Sequence, residues 1–246
     1  MTKELQHKSP SELLLYNIKR CKNLRNEEEL DVPGLRRMEL SHWQSNRLAR
    51  THTDLRESKR HKLAIEFFLS DLYGAKDFSR RDSDLERSYP MIITVLPVNA
   101  IYAVAMAMEL DALSLELDST LSRILSEELG VNKEADLTEE AYAEAYRRSD
   151  NYNQRKYQIE LIRILGEDLD IVVSKPFIYA ALCLARTPAQ LAGFGELQDF
   201  LERGFRAFRH MRGAEEFLNT IVSREMRILD RIYARHPQPF NLDIPD

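Results

Sequence analysis

The chain has 246 residues, of which 43% are apolar and 30% charged, and its net charge is −5. A soluble chain of this length buries about 70–75% of its unfolded surface, enough for a core without staples. Eight glycines and nine prolines are too few for the turns of a many-stranded β protein, so an all-α fold follows. Up to Pro90 there are 18 Lys and Arg against 15 Asp and Glu, and beyond it 17 against 25. Neither part is basic enough for a nucleic-acid footprint.

Ser9-Pro10-Ser11-Glu12 is a helix start, with a Ser cap, Pro at the first position and Glu at the third. That helix runs to about Leu24, and a charged connector from Arg25 to Asp31 leads to Val32-Pro33-Gly34. A second helix reaches about Leu55. Ser58 caps a third, which the left-handed stop Gly74 ends. Asp77 or Ser79 starts a fourth helix, bent by Pro90 and ended by Pro97. Asn99 to Leu129 forms one long helix closed by Gly130.

The chain restarts at Thr138, breaks near Ser149-Asp150-Asn151, and continues as a helix to about Val173. Lys175-Pro176 opens an alanine-rich buried helix ending near Arg186, and Thr187-Pro188 opens a further short turn. The last helices span Glu196 to Met211 and Ala214 to Ala234, before an extended proline-rich tail, 236–246. The pattern predicts one all-α domain over 1–246, a bundle of nine or ten helices. Met1 to Pro10 lacks the apolar segment of a leader. The apolar run Met91 to Met108 is interrupted by Thr94, Pro97 and Asn99, so it reads as a kink and not a membrane span. Cys21 and Cys183 lie far apart in apolar patterns and read as free thiols of a reducing, cytoplasmic compartment.

Helical periodicity then shows which polar groups fall on apolar faces. His61 and Asp71 lie among Ala64, Ile65, Phe67, Phe68 and Leu72 in the third helix, with Ser70 on the solvated side. In the second, His52 sits with Met38, Leu48, Ala49 and Leu55; in the last, Glu225 is surrounded by Leu218, Ile221, Val222, Leu229 and Ile232. A buried carboxylate must be paired, protonated or metal-bound. Asp71 also lies near its helix C-terminus, where an anion is disfavoured, so Arg80 or Arg81 across the Gly74 corner should meet it.

Three arrangements answer this pattern: a helix–loop–helix corner locked through Asp71, a His/carboxylate metal site built from His52, His61, Asp71 and Glu225, or a polar lining for a ligand pocket. The paired Glu-x-x-His motifs of carboxylate-bridged iron proteins are missing, with only Glu39-Leu40-Ser41-His42 as a single copy. Trp43 has Arg36, Glu39, Arg47, Arg50 and Asp54 as helical neighbours. It is either an exposed contact for a partner or is covered by another helix or the tail. Arg203, Arg206, Arg209, His210 and Arg212 interleave with Phe205 and Phe208, yet on a helix they separate into charged and apolar stripes, with Gly204 permitting a close crossing. No nucleotide-binding, nucleophile-elbow or zinc-protease motif occurs in the chain.

Phe67-Phe68-Leu69-Ser70-Asp71-Leu72-Tyr73 resembles the signature of the FFLEELY motif proteins. Trp43-Gln44 stands upstream; the Gly74 corner, Asp77-Phe78, Arg81 and Asp82 follow. Ser70 and Asp71 replace two glutamates of that signature. The resemblance implies a bacterial cytoplasmic helical protein and brings no activity, cofactor or partner with it. The corner residues it marks are Tyr73, Gly74, Asp77, Arg80, Arg81 and Asp82.

The reading is a non-catalytic binding or regulatory module, with an unknown protein or small ligand as partner and self-association left open. The alternatives are a helical-bundle metalloprotein, a ferritin-like or haem-oxygenase-like di-metal oxidase, and a binder of an apolar small ligand. No cofactor or metal is assigned.

Overall fold

The computed structural model describes residues 8–28, 35–72, 79–96 and 98–243. Among these there are eleven α-helices and no strand, in keeping with the all-α fold of about nine or ten helices expected. Helix α1 (Pro10–Glu28) opens on the Ser9 capping box: Ser9 Oγ receives the Glu12 N–H at 3.4 Å and Glu12 Oε2 receives the Ser9 N–H at 2.8 Å. The predicted second helix is two, α2 (Arg37–Thr51) and α3 (Thr53–Glu57), broken at His52 with φ −116° and ψ 34°. α4 (Lys62–Phe67) passes into a π-helical turn, Phe68–Leu72. The family-like motif is therefore wound more loosely than an α-helix, a form common at functional positions.

α5 (Ser79–Val95) and α6 (Val98–Arg123) follow, and α6 is extended by a second π turn, Ile124–Glu128. Pro97, expected to end the fourth helix, lies outside the described residues. After a 3-10 turn at Glu134–Asp136 come α7 (Glu139–Arg148), capped by Thr138, and α8 (Tyr152–Val173). The chain finishes with α9 (Pro176–Leu191), α10 (Gly195–Met211) and α11 (Glu215–Tyr233).

The apolar faces of the described residues assemble into several cores, of which two flank the central helix α8; a third gathers Leu40, Trp43, Leu121, Leu125 and Tyr142. α1 packs along α6, burying Leu14, Ile18, Cys21, Ala105 and Ala112 together with Leu161 of α8. The second core gathers Ile65, Phe68, Phe205, Met211, Phe217 and Ile221 from α4, α10 and α11. α8 runs between them, against α6 on one side and α10 and α11 on the other. By length and composition Val98–Glu128 could cross a membrane, with a mean hydropathy of 1.4; in this fold α1, α2, α5 and α8 pack on it.

α9 departs from expectation. It is continuous through Pro188 and does not stop near Arg186, and it is not buried. Only Ile178, Tyr179 and Leu182 reach the second core, with Tyr179 stacked on Phe205 at 5.2 Å between centroids. Phe177, Leu184 and Leu191 are 70%, 80% and 85% exposed. Apolar composition promised a core helix, but the second core is already closed by α10 and α11, so one face of α9 is left outward. Leu184→Lys should therefore shift the free energy of unfolding by no more than about 0.5 kcal/mol, read from urea denaturation. A loss of about 2 kcal/mol or more would mean that Leu184 is packed.

Candidate functional site

The two cores do not close on each other. Between them lies a cavity of about 420 Å³, within the range of small-molecule sites. Its walls come from both cores: Leu85, Met108 and Leu115 from one, Phe68, Phe205 and Leu218 from the other. Ala103 and Ala107 on α6, Gly166 on α8 and Gly204 on α10 line it, and at Gly166 a Cβ would stand 2.4 Å from Leu218 Cδ2, so that glycine lets α8 and α11 pack closely. Gly204 serves the same purpose, since a Cβ there would stand 2.9 Å from Phe67 Cζ. The close approach of α10 to α4 requires glycine. Met38 and Leu201, both exposed, also line the cavity and form its rim.

A smaller cavity of about 50 Å³ adjoins it and shares Gln44, Phe68, Asp118 and Ile162 as lining. This one is polar. Arg47 of α2 gives both carboxylate oxygens of Glu225 a hydrogen bond from Nη1 at 2.7 Å. His52 Nε2 donates to Glu225 Oε1 at 3.2 Å, while His52 Nδ1 lies 3.5 Å from Arg224 Nη1. Burial pushes the Glu225 carboxyl up, but the Arg47 charge and the hydrogen bonds from His52 and Arg47 outweigh it and hold the group down at about 2. Burial opposes the Arg47 charge too, and the Glu225 carboxylate more than restores it.

From α8, Arg155 Nη2 reaches Asp118 Oδ1 at 3.2 Å and Nη1 reaches Gln158 Oε1 at 3.1 Å. Gln158 Nε2 then donates to Ser114 Oγ at 2.7 Å, and Gln44 Nε2 to Asp118 Oδ1 at 3.1 Å. Tyr142 and Tyr146 complete the wall, their hydroxyls 3.2 Å apart, and the Arg155 guanidinium lies 4.6 Å over the Tyr146 ring. Burial drives the Tyr142 phenol well above its ordinary value, so it stays protonated. In this ring Arg47 and Arg155 are balanced by Glu225 and Asp118. Two donors are not used: Arg47 Nε and Arg155 Nε are buried without a hydrogen-bond partner. A buried N–H left without an acceptor costs about 1–3 kcal/mol.

The four inward residues singled out by periodicity do not converge. His52 and Glu225 meet, as described. Asp71 takes Arg203 instead, with Nη2 to Oδ1 at 2.8 Å and Nε to Oδ1 at 3.2 Å, while Ser70 Oγ donates to its other oxygen at 2.8 Å. Ser70, placed in solvent by the helical wheel, is half-buried because the π turn rotates it inward. Arg203, assigned to a charged outer stripe, arrives from α10. His61 is buried at the start of α4, its Nδ1 3.3 Å from Ser58 Oγ and its ring 6.0 Å from Phe217. Among the described residues, no group of three or more His, Cys, Asp or Glu could hold a metal ion.

Of the two places open to Trp43, the structure takes the covered one, beneath another helix and the tail. Trp43 is 9% exposed, stacked 4.4 Å from Tyr142 and edge-on to Phe240 of the tail at 6.4 Å. It is a core residue and not a partner contact. Leu48, His52 and Leu55 are buried as expected, but the buried face also takes in Trp43, Gln44 and Arg47, and Met38 falls at the exposed rim. Of the corner residues, Tyr73, Gly74 and Asp77 lie outside the described residues, as do the side chains of Arg80 and Arg81. Asp82 is buried and accepts from Arg25 Nε at 2.6 Å; Arg25 Nη2 also donates to Asp111 at 2.8 Å.

Gln44, Arg47, Asp118, Tyr142, Arg155 and Gln158 were not among the expected residues. A signal existed for two of them. Arg155 and Gln158 precede Ile162, Leu165 and Leu169 at helical spacing, which puts them on the apolar face of α8. Arg47 and Asp118 carried no such mark.

Residues 24–239 match the family model of a domain of unknown function, DUF8198. No curated protein and no solved structure matches the chain.

Two outcomes are expected from this geometry. The Glu225 carboxyl stands lower in the folded chain than its ordinary 4.5, so its contribution is complete above that value and is lost as the pH falls towards 2. It amounts to about 3 kcal/mol. Denaturation midpoints measured from pH 6 down to 2 should fall through this window in the wild type, and Glu225→Gln should flatten that part of the profile. Asp71→Ala should cost about 1–2 kcal/mol, because Arg203 is 44% exposed and can turn to water once its partner is gone. An unchanged urea midpoint would show that this pair does not hold α4 to α10.

Proposed function

The chain belongs to the family of the domain of unknown function DUF8198. We propose that it is a non-catalytic module that binds an apolar small molecule between the two cores on either side of α8. The observation that carries this reading is the 420 Å³ cavity. The space opens to solvent at its rim, where Met38, Ala107 and Leu201 are exposed, and its deeper walls, Phe68, Met108, Phe205 and Leu218, are apolar and buried. Ala103 and Ala107 of α6 leave this space open on one side, while larger aliphatic residues fill the cores on either side.

The size of that occupant follows from packing. An engineered cavity of about 150 Å³ takes benzene, so 420 Å³ takes roughly 17 non-hydrogen atoms. Its affinity would come from burying hydrocarbon, at about 25 cal/mol per Å², and its entry would pass Met38 and Leu201 at the rim. The metalloprotein alternative has no comparable support, since His61 and Asp71 are engaged away from the His52–Glu225 pair.

The test uses the purified full chain and the neutral dye phenylnaphthylamine, whose emission rises in an apolar site. Saturable binding at one site per chain is expected in the wild type. Ala107→Phe, which fills the cavity from α6, should abolish it while leaving the thermal midpoint equal or raised. Wild-type protein that takes up no dye, or an Ala107→Phe variant that binds as before, would overturn the reading.

A further inference from the structure

The small polar cavity beside the large apolar one specifies the head of the ligand. We propose that it receives an uncharged oxygen acceptor, a hydroxyl or carbonyl carried on an otherwise apolar molecule, held by the Nε–H groups of Arg47 and Arg155. This rests on the reading of the large cavity as the site of the apolar body. The observations behind it are independent of that cavity's size.

Arg47 and Arg155 are 6% and 4% exposed, and both line the 50 Å³ space. Their Nη atoms are committed to Glu225, Asp118 and Gln158, whereas the Nε of each is buried and unpartnered. Most buried side-chain donors in native proteins have an acceptor, from protein or water. The two cavities share Gln44, Phe68, Asp118 and Ile162, so a chain lying in the apolar space can place its terminal atoms in the polar one.

Charge decides the kind of head. Two guanidinium groups here already face two carboxylates, and Glu225 stays ionised throughout the neutral range. A ligand carboxylate would bring a third negative charge into a buried site with no unpaired cation to meet it. An acceptor without charge satisfies the Nε–H groups and leaves that balance intact. The volume, about 50 Å³, suits a group of one to three heavy atoms.

The experiment compares octanol, octane and octanoate as competitors of phenylnaphthylamine bound to the full chain. Without a head site octane must win, because burying an unpaired hydroxyl is unfavourable. With it, octanol should displace the dye about tenfold more effectively than octane, and octanoate less effectively than octanol. The single tryptophan reports the location: Trp43 stacks on Tyr142, which lines the polar cavity, so octanol should alter its emission and octane should not. Arg155→Lys keeps the charge and removes the Nε–H, and should abolish the octanol preference while octane competes as before.

Octanol competing no better than octane would mean that the polar cavity holds only water, and the head-group inference falls while the apolar site stands. Octanoate competing best would overturn the uncharged head. Failure of all three to displace the dye would place the dye elsewhere and remove the ligand reading itself. The wild-type comparison decides among these even if Arg155→Lys does not fold.

Discussion

The buried ion pair between Arg47 and Glu225 ties residues 178 positions apart and determines how α2 meets α11. A guanidinium and a carboxylate taken out of water each carry a desolvation cost of several kcal/mol, recovered only where the geometry is good and further hydrogen bonds are made. Here both carboxylate oxygens accept from Arg47 and one also accepts from His52. His52 is itself the break between α2 and α3. The turn of the backbone and the burial of the charge are one arrangement: straightening α2 through His52 would withdraw the imidazole from Glu225. Trp43, one turn before Arg47, is carried inward with it onto Tyr142.

The second buried guanidinium extends this arrangement across the molecule. Arg155 joins α8 to α6 through Asp118, and Gln158 carries the chain of hydrogen bonds on to Ser114. These polar contacts hold α2, α6, α8 and α11 at separations that their apolar side chains do not by themselves fill. The space left lies between α6, α8, α10 and α4. Interiors normally reach crystal-like density. The cavity borders the buried network along Gln44, Phe68, Asp118 and Ile162.

The motif that stands out most in the residue pattern has a supporting place in this design. Phe67 and Phe68 face the cavity, the π turn brings Ser70 and Asp71 inward, and Arg203 joins the turn to α10. The wheel placed Asp71 and Glu225 on apolar faces because their own helices carry that pattern in neighbours three and four residues away. It left Trp43 open and passed over Arg47 because α2 is rich in charge on every side, so periodicity alone could not choose which face turns inward. α9 failed in the opposite sense. Its alanine and leucine content is that of a core helix, but composition does not say whether another helix is available to cover it.

What the sequence by itself determined is local: an all-helical chain, the cap at Ser9, most of the helix ends, the role of Gly204 and the presence of acids among apolar residues. Each of these follows from backbone geometry and from side chains within a turn of one another. Only the tertiary structure decided that Glu225 meets Arg47 and His52, that Asp71 meets Arg203 instead of joining them, and that two cores stand apart around a cavity. Those outcomes depend on how helices cross and how closely they approach. That is a balance of packing volume and desolvation among residues distant in the chain, and no local spacing records it.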